Sequence, residues 1–230
     1  MSYFLHNNIY EKPINQFNMK PKAIFFDVDG TIIPLKVVVK NFQETSKHFN
    51  IKILNNKKLL DSTIGLKLEE AIPIVVPEAL PFEKKFIKYY EDNQIKNFKK
   101  YSKLLSYVKF TFKKIKKRKI KIGIITTKVR REAKAILKGY KLPYDTLVGN
   151  DDVKNRKPDP EAVFKACKNL KVKPKDCIFV GDTPFDVRAA KSAGCLAIGV
   201  LTGWGKRNNL KKAGADFIIK DLRGLNKLIE

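Results

Sequence analysis

The sequence predicts an α/β fold: a Rossmann-like parallel sheet core with helices on both faces, and an α-helical cap inserted near its start. Three observations predict it. Six short segments are apolar without interruption, the pattern of strands hidden on both faces. Helix-periodic stretches alternate with the later ones, as βαβ units of a parallel sheet require. One block, residues 35–107, has helical period and no run that reads as a buried strand.

In chain order, residues 1–18 are polar, Asn-rich and without period, and are expected to be an N-terminal extension. The first strand is Ala23–Val28. The insert follows: Phe42/Phe49, Leu66/Ala71 and Phe82/Phe86/Tyr89/Tyr90 repeat at helical spacing, with Pro73, Pro77 and Pro81 separating two of the helices. The remaining strands are expected at Ile120–Thr126, Thr146–Val148, Cys177–Gly181, Cys195–Val200 and Phe217–Ile219. Helices between and after them fall at Val129–Gly139, Pro160–Leu170, Pro184–Ala193, Lys206–Ala213 and Leu222–Ile229. Asp159-Pro160-Glu161 supplies a cap, a proline at the first helical position and an acid in the first turn. Gly139 and Gly194 stand where left-handed helix ends are expected. The domain reading is therefore residues 19–34 and 108–230 for the core and 35–107 for the cap.

At 230 residues and 43% apolar content, the chain is large enough for a core with a small insert. No apolar stretch approaches the roughly 18 residues of a membrane span, and the start lacks the pattern of a signal peptide. A cytoplasmic protein with no membrane partner is expected, as a monomer or homodimer. Cys167, Cys177 and Cys195 are odd in number and lack metal-type spacing, so they read as small buried apolar residues. The formal charge of +25 invites a nucleic-acid reading. Yet only seven of the 48 basic residues are arginine, and the lysines are spread along the whole chain. That distribution reads as a solvated surface, including the run Lys113 to Lys121 at a helix end, and nucleic acid is not the expected partner.

The chemistry is expected beyond the carboxyl ends of the strands, where open α/β sheets bind ligands. The first strand delivers Asp27 and Asp29, then Gly30 and Thr31. The second delivers Thr126, Thr127 and Lys128. The third leads to Lys157-Pro158, and the fourth to Asp182 and Asp186. Carboxylates, hydroxyls and an ammonium arriving at one edge suit phosphoryl transfer. One carboxylate attacks phosphorus, and a second, two residues on, protonates the leaving oxygen and then activates water. Mg2+ takes hard oxygen ligands, and lysine with a hydroxyl balances the phosphoryl oxygens. Lys128 reads as a surface lysine at a helix start, and Gly203-Trp204-Gly205 as a tight turn with Trp204 covering the sheet edge. His6 and His48 fall outside every motif, against histidine-based or zinc chemistry.

Taken together, Asp27-Val28-Asp29-Gly30-Thr31, Thr126, Lys157-Pro158-Asp159-Pro160 and Gly181-Asp182-Thr183-Pro184-Phe185-Asp186, in that order, resemble the four motifs of the haloacid-dehalogenase-like phosphohydrolases. The tail Gly199–Gly205 resembles the phosphoglycolate phosphatase-like members. The resemblance implies a cytosolic Mg2+-dependent phosphatase of a small phosphorylated metabolite. It implies Asp27 as nucleophile and metal ligand, and Asp29 as general acid and base with its backbone carbonyl on the metal. It implies Thr126 and Lys157 on the phosphoryl group, and Asp182 and Asp186 at the metal. Thr127 and Gly65, the latter in the glycine loop of the cap, are the further substrate-binding expectations. Thr127 stands where the family often has Asn, and the Arg often found before the cap glycine loop is missing, which bears on glycolate specificity. Pyrophosphatase, sugar-phosphate mutase and phosphonate hydrolase activities are alternatives within the same superfamily; Lys67 would be the cap lysine of a phosphonate hydrolase. A basic nucleic-acid-binding protein that kept the fold is the alternative outside it.

Overall fold

The computed structural model describes residues 20–53, 61 and 63–229. The expected extension 1–18 lies outside them. Six parallel strands form one sheet: β1 (Ala23–Phe26), β2 (Lys121–Ile125), β3 (Thr146–Val148), β4 (Cys177–Gly181), β5 (Leu196–Val200) and β6 (Phe217–Ile219), in the order β3-β2-β1-β4-β5-β6. Every predicted strand is present. β1 stops at Phe26, two residues early, because the chain turns at Asp27 to bring Gly30 back to Ile33 through an N–H···O bond of 2.6 Å.

Alternate residues of the strands feed two cores. On one face Ile24, Phe26, Ile124, Ile178, Val180 and Ile198 pack with α4 (Val108–Lys117), α5 (Arg130–Tyr140) and α9 (Leu222–Leu228). On the other, Phe25, Ile125, Val148, Phe179 and Ala197 pack with α6 (Glu161–Leu170), α7 (Pro184–Ala193) and α8 (Arg207–Lys212). Phe25 and Phe26 are fully buried, each contributing roughly 1.5–3 kcal/mol of transfer free energy. The three cysteines are free thiols in the second core or at its edge, as their spacing suggested.

Between β1 and α4 lie α1 (Lys36–His48), α2 (Leu68–Val75), a 3₁₀ turn (Pro77–Phe82) and α3 (Glu83–Tyr101). They enclose a third cluster built on Phe42, Ile72, Val75, Phe86 and Tyr90. Phe49 stacks on Phe82 at a ring-centroid distance of 5.1 Å, which ties α1 to the start of α3. α3 serves two bodies, since Phe98 near its end belongs to the first sheet core. Pro73 does not separate helices: it sits inside α2, exposed, while Pro77 and Pro81 shape the 3₁₀ turn.

Gly139 is not a helix end either. α5 runs through it to Tyr140, and Lys141 takes the left-handed conformation. A Cβ on Gly139 would lie 2.3 Å from the ring of Phe98, so the glycine lets α3 close onto α5. Gly194 ends α7 at φ +83°, as expected.

Candidate active site

β1 and β4 are neighbours in the centre of the sheet, with Phe26 level with Val180. The residues that follow each strand therefore emerge side by side. Asp27 donates its backbone N–H to Val180 and is buried. Asp182 follows β4, and Asp186 sits in the first turn of α7, held by Thr183. The Thr183 N–H and hydroxyl both donate to Asp186 Oδ2, at 2.9 and 2.6 Å, and the Asp186 N–H donates back to the Thr183 hydroxyl. This reciprocal cap fixes both the helix start and the carboxylate.

One oxygen from each of Asp27, Asp182 and Asp186 lies within 4.8 Å of the others. Lys157, on the loop after β3 and joined to Pro158 by a cis peptide, reaches in from the side. Its Nζ donates to Asp27 Oδ1 at 2.7 Å and to Asp186 Oδ1 at 2.5 Å. Asp182 accepts from the Trp204 N–H at 2.8 Å and from the Thr31 hydroxyl at 3.3 Å. A Cβ on Gly30 would lie 2.3 Å from Asp182 Oδ2, and one on Gly203 only 1.9 Å from it, so both loops close in as bare backbone.

Three carboxylates face one ammonium in this dry space. Burial pushes the Asp27 carboxyl up to about 7; Lys157 opposes the rise, while Asp186 and Asp29 add to it. Burial, then Asp27 and Asp186, holds Asp182 well above the usual carboxylate range. Burial opposes the charge on Lys157, but Asp186 and Asp27 outweigh it and raise its pKa. The surplus of negative charge, on hard oxygens gathered close to the span of one ion's ligand shell, fits Mg2+.

The sequence-predicted residues divide around this centre. Asp27, Asp182, Asp186 and Lys157 converge, and with Asp29, Thr127 and Gly65 they line a cavity of about 40 Å3. Thr126 is buried behind it at the end of β2, its hydroxyl accepting the Lys128 N–H at 3.2 Å. Asp29 also lines this cavity, and Lys128 Nζ meets its Oδ2 at 3.0 Å. Its Oδ1 is buried without a partner.

Two expectations are corrected here. Lys128 is no surface lysine: it is 7% exposed, sealed by α3 and paired with Asp29. Trp204 does more than cover an edge, because its backbone N–H holds Asp182 and its indole N–H reaches Asp61 at 3.1 Å. Glu132, on the first turn of α5, belongs to none of the sequence motifs. It is 4% exposed, its Oε1 has no partner, and burial pushes its pKa up to about 7. The spacing of Glu132 four residues after Lys128 was the available signal.

A second cavity, of about 140 Å3, lies under the insert. It shares Asp29, Leu35, Ile64, Gly65 and Thr127 with the first. Gly65, at φ +78°, rests against the Phe185 ring, which a Cβ would approach to 2.8 Å.

Residues 24–200 match the family model of the haloacid dehalogenase-like hydrolases. The chain is 34% identical over 225 residues to a protein of Caldanaerobacter subterraneus named as a PpaX pyrophosphatase, covering 92% of this chain and 96% of that one. Among solved structures, a haloacid dehalogenase-like hydrolase from Bacteroides fragilis superposes with a TM-score of 0.77 at 27% identity, covering 90% of this chain and all of that one. A Thermotoga maritima protein named for β-phosphoglucomutase gives 0.73 at 27% identity, covering 89% and 97%.

Proposed function

Because the chain belongs to the haloacid dehalogenase-like hydrolases, we propose that it is a Mg2+-dependent phosphatase of small phosphorylated metabolites, working through a phosphoaspartate on Asp27. The observation that carries this reading is the convergence of three buried carboxylates and Lys157 on a small cavity that opens, past Asp29, into a second chamber. The α1–α3 insert roofs that chamber and acts as the cap.

An Asp27 carboxylate oxygen attacks phosphorus in line, and the P–O bond to the leaving group breaks. Lys157 keeps Asp27 aimed and ionised and meets the charge on the phosphoryl oxygens. Thr127 offers its hydroxyl to the same group, with Thr126 behind it setting the turn. Asp29 gives a proton from its carboxyl to the leaving oxygen, then takes one from water as that water attacks the phosphoaspartate. Inorganic phosphate leaves and Asp27 is restored. Asp27, Asp182 and the Asp29 backbone carbonyl would hold Mg2+, with Asp186 supporting them. The ion supplies charge neutralisation between the carboxylates and the phosphoryl oxygens.

A pyrophosphatase activity is the second reading, favoured by the name of the Caldanaerobacter relative. Asp27→Asn tests the common mechanism. It should lower p-nitrophenyl phosphate turnover by about 10³-fold or more while leaving a cooperative melt, and EDTA should abolish wild-type turnover. A variant that turns over at the wild-type rate would overturn the nucleophile assignment.

A further inference from the structure

The chamber beside the catalytic cavity carries an electrostatic pattern opposite to the rest of the molecule. The chain as a whole is +25. Among the described residues four carboxyl groups line the chamber, Asp29, Glu69, Glu91 and Glu132, against two ammonium groups, Lys67 and Lys128. Lys128 is already engaged by Asp29. Glu91 stands at the rim with Arg131 on it at 2.6 Å.

Three residues of this chamber each carry a buried acceptor just behind its wall that has no partner among the described residues: Asp29 Oδ1, Glu132 Oε1 and Asn150 Oδ1. An unpaired buried acceptor costs about 1–3 kcal/mol, so a ligand that fills the space gains by bringing hydrogen-bond donors. Leu35, Val38, Phe42, Ile64, Leu66 and Ile87 form the apolar part of the wall. The order of the two cavities fixes which part of a substrate meets this wall. The phosphoryl group belongs at Asp27, and Asp29 stands between the two spaces, so the leaving group occupies the chamber.

We propose that Glu132 is the specificity residue of this leaving-group chamber, and that it selects the phosphate monoester of a small uncharged alcohol bearing further hydroxyl groups. This rests on the phosphatase reading above and goes beyond it in naming the substrate class. A hydroxyl donates to Glu132 Oε1, and the apolar wall takes the carbon skeleton. A leaving group that is itself an anion, the phosphate of pyrophosphate or the carboxylate of phosphoglycolate, brings negative charge beside Asp29 and few donors for Glu132 Oε1.

The test is a phosphate-release panel with Mg2+ on the wild-type protein, Glu132→Gln and Glu132→Asp. The substrates are glycerol phosphate, a pentose phosphate, pyrophosphate, phosphoglycolate and p-nitrophenyl phosphate. Wild type should favour the two hydroxylated esters over pyrophosphate and phosphoglycolate by about tenfold or more in kcat/KM. Glu132→Gln should shrink that ratio about tenfold, chiefly through KM for the hydroxylated esters, and Glu132→Asp should restore part of it. A wild-type preference for pyrophosphate or phosphoglycolate overturns the proposal even if neither variant folds. Equal losses on every substrate also overturn it, since they would mean that Glu132 only balances Lys128. Absence of all turnover, p-nitrophenyl phosphate included, would defeat the phosphatase reading itself.

Discussion

Glu132 places a carboxyl among groups that pull its proton in both directions. Burial is the largest influence and raises its pKa; Lys128 and Arg131 oppose this, and Asp29 and Glu91 reinforce it, leaving it at about 7 against an ordinary 4.5. Tyr90 lines the same chamber. The folded protein therefore holds this proton more tightly than the unfolded chain does. Stability from the neutral form is complete below about pH 4.5 and is lost as pH rises to about 7. Glutamine does not titrate, so the stability of Glu132→Gln relative to wild type should rise across that window. The rise should be about 3 kcal/mol, at about 1.4 kcal/mol for each pH unit between the two values. Urea unfolding at pH 4.5, 6 and 8 measures it; a difference that stays flat or falls would mean that Glu132 remains ionised beside Lys128. At this scale the sequence was half legible. Asp27 and Asp182 are read from strand-end position, Lys157 from the Pro158 that follows it and Asp186 from its spacing after Asp182, with the ordered motifs joining the four. Lys128 and Glu132 are not, because their burial depends on α3 folding over α5, a packing that local spacing does not encode.

Among the elements, the strands were the most legible, since a run such as Cys177–Gly181 is buried over its whole length and carries no alternation to misread. Helix ends were less so. α5 runs past Gly139 because Phe98, 41 residues earlier in the chain, requires a residue without a side chain there. The Trp204 amide could not be seen as a site group, since a backbone N–H has no letter of its own; the flanking Gly203 and Gly205 were its only trace. The insert meets the sheet body at another such place. Gly65 lies over Phe185 of α7 in the left-handed region. Gly65→Ala would strain the backbone and push the cap loop off that ring, a cost of about 1–2 kcal/mol. It should raise KM for phosphate esters about tenfold with a smaller effect on the melting temperature. An unchanged KM would show that this contact does not govern closure.

On the scale of the whole molecule, the α1–α3 insert and the sheet body are joined by ion pairs as well as by packing. Arg156 meets Glu70, and Arg131 bridges Glu91 and Asp92 at 2.6 and 2.8 Å. These pairs are exposed or half-exposed, so each contributes about 0.2–1 kcal/mol and weakens in salt. The larger field is that of the chain's net charge of +25, acting on the dianionic phosphate ester proposed as substrate. Raising KCl from about 50 to about 500 mM shortens the screening length to roughly a third. At fixed free Mg2+, kcat/KM should then fall several-fold through KM, with kcat nearly constant; steady-state kinetics in the two buffers decide it. The order of the strands has a consequence for how the protein is made. β1 is translated some 150 residues before its neighbour β4, and the amide that secures Asp182 comes later still. The nascent chain therefore carries Asp27 as an ordinary side chain until both have followed, and the cluster around it closes only once Trp204 has emerged and folded home.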